Sequence, residues 1–287
     1  MRFNFFEVNK PIFLILSGVA AICLLFFFGR TTENKKKAIQ AVKAEKTFNA
    51  QSFITEAKAH LTPSQLVYLG SLENSITRGD IPSQKIKSYY ALANFWKDSA
   101  RLYEPYAYYI IEATKLDKSE KSLTFAARLL LSNLRGEQDE AKLNWQSTEA
   151  IRLFEEALAL NPENDDLKIG LGSVYVFGRG RSGNPEATMK GIQQLLSVTR
   201  KDSNNMKAQL VLGVGGLMSG QYDKAVDRLK KVVAKEPGNL EAIAYLADAY
   251  AASGNKAEAV KWYNISKKLV NDPHYTKEVD ERIRTIR

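Results

Sequence analysis

Hydrophobic and small residues in the second half of the chain recur with a period that predicts paired helices. Between residues 206 and 273, unlike residue types return after 34 positions. The matched pairs are Leu212 with Leu246, Gly213 with Ala247, Gly220 with Gly254, Ala225 with Ala259, and Leu229 with Tyr263. A fixed repeat of this length predicts two-helix units that cannot bury their apolar faces alone and therefore stack into one continuous core.

Each matched position has a physical reason within such a unit. Gly213 lets the first helix approach its partner closely, and Ala225 keeps the second helix tight against the first. Gly220 ends the first helix, where a left-handed cap favours glycine. Leu229 fills the space between neighbouring pairs. Pro237 opens the next unit, because proline cannot continue a helix interior.

These residues and their period resemble the tetratricopeptide-repeat (TPR) family. The resemblance implies an all-α fold in which helix-turn-helix repeats stack as a right-handed solenoid. The predicted TPR repeats are about 122–162, 165–203, 206–237 and 240–273. The spacing also places insertions within two of these repeats, near residues 136–146 and around FGRGRSGNP at 177–185.

Helical periodicity continues on both sides of the predicted repeats. Residues 61–121 are interpreted as degenerate helical repeats, since apolar residues recur on helix faces between helix-stopping glycine and proline. Residues 274–287 predict a capping helix with one buried face and one solvated face. Residues 30–60 predict a charged spacer that becomes partly helical beyond Ala41.

The N-terminal region predicts a single transmembrane helix. After a short tail at 1–10, residues 11–29 contain no charged residue, and Lys10 and Arg30 bracket them. As a helix this run spans roughly 28 Å, close to the hydrocarbon thickness of a bilayer. Cleavage as a signal peptide would leave a strongly apolar mature N-terminus, and Ile22 before Cys23 does not fit a lipoprotein signal. Retention as an anchor in the inner membrane is therefore the prediction.

The direction of insertion stays open on the sequence. The N-terminal flank carries Arg2 and Lys10. The C-terminal flank carries Arg30, Lys35, Lys36, Lys37, Lys43 and Lys46. This count favours a cytoplasmic location for the C-terminal region. The layout of an ordinary signal anchor, with a short basic N-terminal tail, favours the periplasm instead.

Composition and charge narrow the classes of function. The chain is 45% apolar and 25% charged, as expected for a folded protein. Its net charge of +9 is spread over many helices, which indicates a solvated basic surface and no nucleic-acid partner. The single cysteine, Cys23, lies in the predicted membrane span. With His60 and His274 far apart as well, the sequence predicts no catalytic residue, no metal site and no cofactor.

Two glycine-rich motifs have simpler interpretations than ligand binding. The FGRGRSGNP segment lacks the Gly-Lys-Ser/Thr ending of a phosphate-binding loop, so it is interpreted as an insertion between helices with a solvated turn. Gly213, Gly215 and Gly216 lie within a predicted helix that no strand precedes. They are therefore assigned to close helix packing.

The TPR resemblance implies a partner-binding groove lined by the first helix of each repeat. It places these residues there: Asp166, Ile169, Ser173 and Val176; Lys207, Leu210, Val214 and Leu217; Glu241, Ala244, Asp248 and Ala251. The middle set is apolar, which suits an extended peptide or an amphipathic helix. Coverage by another helix of the same chain is the open alternative. The set lacks the Lys/Asn/Arg arrangement by which chaperone-binding TPR domains clamp a terminal carboxylate.

The sequence as a whole predicts a membrane-anchored scaffold that binds protein partners without catalysis. The alternative is an enzyme or small-ligand receptor with a pocket in the helical region 62–160. The anchor followed by TPR repeats resembles uncharacterised inner-membrane TPR proteins of Bacteroidota. Three segments carry that resemblance: FWKDSARLYEPYAYYIIEATKL, EKSLTFAARLLLSNLRGEQDEA and LVLGVGGLMSGQYDKAVDRLKKVV. It brings no known reaction or ligand with it, and it leaves the oligomeric state open.

Overall fold

The computed structural model describes residues 47–78 and 81–286, and all regular secondary structure in this part of the chain is helical. The helices are α1 (Ala50–Lys58), α2 (Pro63–Arg78), α3 (Pro82–Asn94), α4 (Tyr103–Asp117), α5 (Glu120–Leu134), α6 (Glu140–Leu160), α7 (Asp165–Val174), α8 (Pro185–Lys201), α9 (Met206–Met218), α10 (Tyr222–Lys235), α11 (Leu240–Ala252), α12 (Lys256–Val270) and α13 (Pro273–Ile286). Two π-helical segments, Phe95–Ser99 and Tyr175–Gly180, continue α3 and α7.

The predicted tail, membrane span and first part of the spacer lie outside the described residues. Within 47–78 and 81–286, no helix combines the length and apolar character that crossing a bilayer requires. Helix α1 lies in the predicted spacer, and α2, α3 and α4 lie in the region interpreted as degenerate repeats.

From α5 onward, consecutive helices pack as pairs: α5 with α6, α7 with α8, α9 with α10, and α11 with α12. The first helices of neighbouring pairs also contact one another, from α5 through α7 and α9 to α11. These four first helices therefore share one surface, which is called the groove face below.

Each helix of the groove face starts with the same kind of cap. Ser119, Asn164, Asn205 and Asn239 precede these helices, and each side chain accepts a hydrogen bond from the main-chain N–H three residues on. Such a cap satisfies one of the N–H groups that have no partner within the helix. The repeat is therefore marked by a capping residue as well as by its apolar positions.

The close helix approach predicted from the small residues is confirmed. A Cβ atom built on Gly213 would lie 2.7 Å from Cγ of Leu229, so only glycine fits there. Gly220 and Gly254 have φ values of +74° and +81°, the left-handed caps expected at the ends of α9 and α11. The sequence template thus describes real packing constraints over 206–273.

Buried apolar side chains form a core that follows the helix pairs. The largest cluster extends from Ile54 in α1 to Val174 in α7, with Trp96 and Phe154 fully buried. At the other end, α13 buries one face through Val279 and Ile283. The region 62–160 is accordingly filled by packed side chains.

The FGRGRSGNP segment contains the expected exposed turn at 181–184, and it also makes contacts that the sequence did not predict. Its first residues extend α7 as π-helix, and Arg181 donates hydrogen bonds to the carbonyl oxygens of Leu134 (2.7 Å), Arg135 (3.2 Å) and Glu137 (2.9 Å). The last carbonyls of α5 have no partners within the helix, so they attract a cationic donor. The α5–α6 turn belongs to the predicted insertion near residues 136–146. The hydrogen bonds of Arg181 therefore join the two predicted insertions.

Replacing Gly191 with alanine is expected to lower the free energy of unfolding by about 1–3 kcal/mol, because the added methyl group has no space. Its Cβ would lie 2.8 Å from the carbonyl oxygen of Gly172 and 2.8 Å from Cβ of Tyr175. Gly70 is the matched control, since a Cβ on this helical glycine meets no atom within 4 Å. Gly70→Ala should raise stability by up to about 1 kcal/mol. Urea unfolding followed by circular dichroism measures both, and equal effects would contradict the assigned contact.

Candidate partner-binding groove

The groove face contains a cavity of about 440 Å³ between its first helices. Its lining residues come from α5, α7 and α9: Arg128, Leu131, Ser132, Arg135, Asp166, Ile169, Gly170, Ser173 and Lys207. A second cavity, of about 580 Å³, lies along α5 and is lined by Glu120, Lys121, Thr124, Phe125 and Arg128. Arg128 borders both cavities, so the two together are called the open groove.

One stripe of α5 forms a wall of the open groove. Lys121, Thr124, Arg128 and Leu131 recur at spacings of three and four residues, which places them on one side of a helix. Phe125 lies beside this stripe and exposes 49% of its surface. The wall therefore combines cationic, hydroxyl and apolar groups that a partner can contact.

Two ionic contacts of the open groove are long and share one carboxylate. Asp166 Oδ2 lies 4.0 Å from Nη2 of Arg128, and Asp166 Oδ1 lies 3.8 Å from Nζ of Lys207. All three side chains are more than half exposed. The Glu120 carboxylate accepts hydrogen bonds from the side-chain amides of Asn161 and Asn164. Four cationic side chains and two carboxylates line the open groove, so positive charge exceeds negative charge on this surface.

The groove residues predicted from the sequence fall into two groups. Ile169, Ser173 and Lys207 line the open groove, together with Asp166. The others do not line it: Val176, Leu210, Val214, Leu217, Glu241, Ala244, Asp248 and Ala251. The predicted face is thus exposed at the start of α7 through Asp166, while Ile169 and Ser173 border the cavity with only 8% and 4% of their surface exposed.

The apolar residues of the second group belong to the core. Val176 is fully buried, Val214 exposes 2% of its surface and Leu210 exposes 8%. Val176 and Val214 pack in one core cluster with Phe177, and Leu210 packs in the next cluster with Leu229. Leu217 and Ala244 are half-buried. A charged substitution at Leu210 or Val214 would therefore disturb folding as well as any partner.

Arg135 covers part of the α9–α11 side of the groove face. Its guanidinium forms an ion pair with Glu241 at the start of α11, and its central carbon lies 4.2 Å from the centroid of the Phe177 ring. Tyr245 packs against both neighbouring core clusters, and burial raises the pKa of its hydroxyl. Other parts of the chain thus occupy the surface that the sequence offered to a partner.

Asp248 is bonded within the chain as well. Its carboxylate accepts a hydrogen bond from the Tyr263 hydroxyl and lies 3.3 Å from Nη1 of Arg282 in α13. Burial and the hydrogen bond to Asp248 raise the pKa of the Tyr263 hydroxyl. Asp248 therefore helps to attach the last helix to α11 and α12.

The described part of the region 62–160 contains hollows at its surface. One hollow of about 510 Å³ lies between α4 and α6, where Arg152 pairs with Glu149 and Glu156. Within the described residues, no three or more His, Cys, Asp or Glu side chains are grouped so as to hold a metal ion. The packed core in this region provides no support for a deep pocket there.

Sequence reasoning missed the stripe on α5, although the signal for it was present. The positions that the TPR resemblance assigns to the groove become Lys121, Thr124, Arg128 and Leu131 when they are counted from the start of α5. All four line the open groove. The contact of Arg135 with Glu241 had no comparable signal, since the two residues are 106 positions apart.

Comparison with known proteins gives a family for one part of the chain. Residues 217–277 match the model of the tetratricopeptide repeat. No protein with a curated description matches the sequence. Similar solved structures include MamA, with 16% identity over 65% of this chain and 92% of that chain and a TM-score of 0.46.

Two further structures have similar values. YrrB, described as a TPR protein with an unusual peptide-binding site, has 19% identity over 73% of this chain and 97% of its own, with a TM-score of 0.45. PilW, described as a widely conserved type IV pilus biogenesis factor, has 18% identity over 70% and 92%, with a TM-score of 0.47. These values are too low to assign a partner or a residue role.

Arg181→Ala is expected to lower the free energy of unfolding by about 1–3 kcal/mol, because it removes charge-assisted hydrogen bonds to otherwise unpaired carbonyls. Arg200→Ala is the matched control, since Arg200 is exposed on α8 and its loss changes the net charge equally. It should change stability by less than about 0.5 kcal/mol. Urea unfolding measures both variants. A loss in Arg181→Ala no larger than in the control would show that other contacts hold the α5–α6 turn.

Proposed function

We propose that this tetratricopeptide-repeat protein is a membrane-anchored scaffold that holds a peptide or protein partner in the open groove and performs no catalysis. The observation that carries the proposal is the continuity of the groove. Two cavities on the surface of the first helices meet at Arg128 and are bordered by side chains of α5, α7 and α9. An elongated surface of this kind suits an extended segment or one face of a helix.

The residues of the open groove are better suited to contact a partner than to pack against another part of this chain. Phe125 is half exposed, although burying a side chain of this size would be worth roughly 1.5–3 kcal/mol. Hydroxyl and charged groups surround Phe125, and their hydrogen bonds and ion pairs would orient a bound partner. Interfaces combine apolar anchors with polar neighbours in this way.

Membrane attachment is the second part of the proposal, and it rests on the uncharged run 11–29. This run would tether the repeats as a single-pass inner-membrane protein. The signal-anchor layout favours the periplasmic side, and the count of flanking charges favours the cytoplasmic side. A tether of either direction would concentrate the groove near membrane-bound partners.

A photo-crosslinking amino acid at Ser132, which is exposed in the open groove, is expected to give discrete crosslinked products in native membranes. The matched control is the same substitution at Lys230, which is exposed on the second helix α10. Adding Arg128→Glu should remove the Ser132 products. Mass spectrometry identifies them. Identical products from both positions, or products insensitive to Arg128→Glu, would count against the groove.

Deleting residues 11–29 is expected to release the chain from membranes, because the deletion removes about 19 residues of apolar contact with lipid. Sodium carbonate extraction of both chains, followed by immunoblotting, measures the effect. The intact chain should stay in the pellet and the shortened chain should appear in the supernatant. Release of both chains would refute the anchor. Protease treatment of spheroplasts would separately decide the direction of insertion.

A further inference from the structure

We propose that the open groove selects partner segments in which acidic side chains alternate with apolar ones. The inference rests on the proposed function and names the chemistry of the partner. The inference depends on three features of the groove: its cationic side chains, the Asp166 carboxylate between Arg128 and Lys207, and the apolar surface beside these charges.

The cations of the open groove face outward from several elements. Lys121 and Arg128 lie on the same stripe of α5, roughly 10 Å apart along the helix axis. Lys207 extends from the start of α9, and its side chain is 78% exposed. Side chains placed in this way can reach carboxylates at several points along a bound segment.

Asp166 neutralises this charge only in part. It lies at 3.8–4.0 Å from both Lys207 and Arg128, so one carboxylate serves two cations at the outer limit of ion-pair distance. Exposed pairs of this length contribute little to stability. An incoming carboxylate can instead meet the fork of the Arg128 guanidinium with two parallel hydrogen bonds, which are the stronger kind.

The remaining charged residues of the groove already have strong partners. Arg135 is paired with Glu241 and stacked on Phe177, and Glu120 is hydrogen-bonded by two asparagine amides. A basic segment would find acceptors in Asp166 and Glu120 and would be repelled by the more numerous cations around them. The groove would therefore distinguish acidic from basic segments by repelling the basic ones as well as by attracting the acidic ones.

Apolar surface lies between the charged positions. Phe125 is half exposed on α5, Leu131 is partly exposed, and Ile169 borders the neighbouring cavity with the 8% of its surface that is accessible. These side chains offer contacts to apolar residues and none of the stacked aromatic platforms typical of single-stranded nucleic-acid sites. A mixed acidic and apolar polypeptide fits this surface better than a polyphosphate chain does.

The test uses the full-length chain in detergent and three fluorescein-labelled peptides of twelve residues: alternating Asp and Leu, Asn and Leu, and Lys and Leu. Fluorescence anisotropy gives their affinities. The Asp-Leu peptide should bind most tightly and the Lys-Leu peptide most weakly. Raising the salt concentration should weaken Asp-Leu binding, because salt screens exposed charges.

Variants of the groove should shift this affinity in opposite directions. Arg128→Glu should weaken Asp-Leu binding about tenfold or more, as expected for reversing a contacting charge. Asp166→Asn should strengthen it, because the competing carboxylate is gone. The matched controls are Arg200→Glu on α8 and Asp227→Asn on α10, exposed positions that make the same changes in net charge. Both controls should leave the affinity unchanged, and circular dichroism should show that all four variants are folded.

Each alternative outcome overturns the inference in a recognisable way. Equal affinity for the Asp-Leu and Asn-Leu peptides would refute acidic selection while leaving groove binding itself to the Ser132 crosslinking experiment. An equal loss in Arg128→Glu and Arg200→Glu would reduce the effect to overall charge. Displacement of the Asp-Leu peptide by polyuridylate at physiological salt would favour a nucleic acid as the occupant. Failure of the Asp-Leu peptide to bind would likewise refute the inference.

Discussion

The hydrogen bonds from Arg181 to the carbonyls that end α5 join the segment after α7 to the α5–α6 turn, from which Arg135 extends over the groove face. A helix leaves its last carbonyls without partners inside the helix, and Arg181 supplies a cationic donor to two of them and to Glu137 in the following turn. This contact holds the α5–α6 turn against the π-helical extension of α7. With the turn in place, Arg135 reaches both the Phe177 ring and the Glu241 carboxylate.

The consequence is that one repeat surface serves two purposes along its length. Around α9 and α11, residues at groove positions pack in the core or pair within the chain, as Val214 and Asp248 do. Along α5 and at the start of α7, groove positions carry exposed charge, as Arg128 and Asp166 do. Partner binding is therefore proposed for the first repeats, where the structure leaves side chains accessible, although the repeat pattern is clearest in the last ones.

The sequence predicted those features that depend on near neighbours in a repeat. The pairing of a small residue with a large one, as at Gly213 and Leu229, is visible as a period and appears as a contact. The insertions were visible as changes in spacing, but the contact between them was not. The ion pair of Arg135 with Glu241 joins helices three repeats apart. A contact between residues so distant in sequence leaves no local sequence pattern from which it could be predicted. The charged stripe on α5 could have been predicted by applying the same repeat positions to that helix.

The groove face is open along α5 and closed along α9 beyond Lys207, and thiol accessibility measures this difference. The chain has one cysteine, Cys23, so a Cys23→Ser background allows a single thiol at Ser132 or at Val214 to be labelled with a maleimide. We predict rapid labelling at position 132 and slow labelling at position 214, because Val214 exposes only 2% of its surface. Equal labelling rates at the two positions, without denaturant and in folded protein, would contradict it.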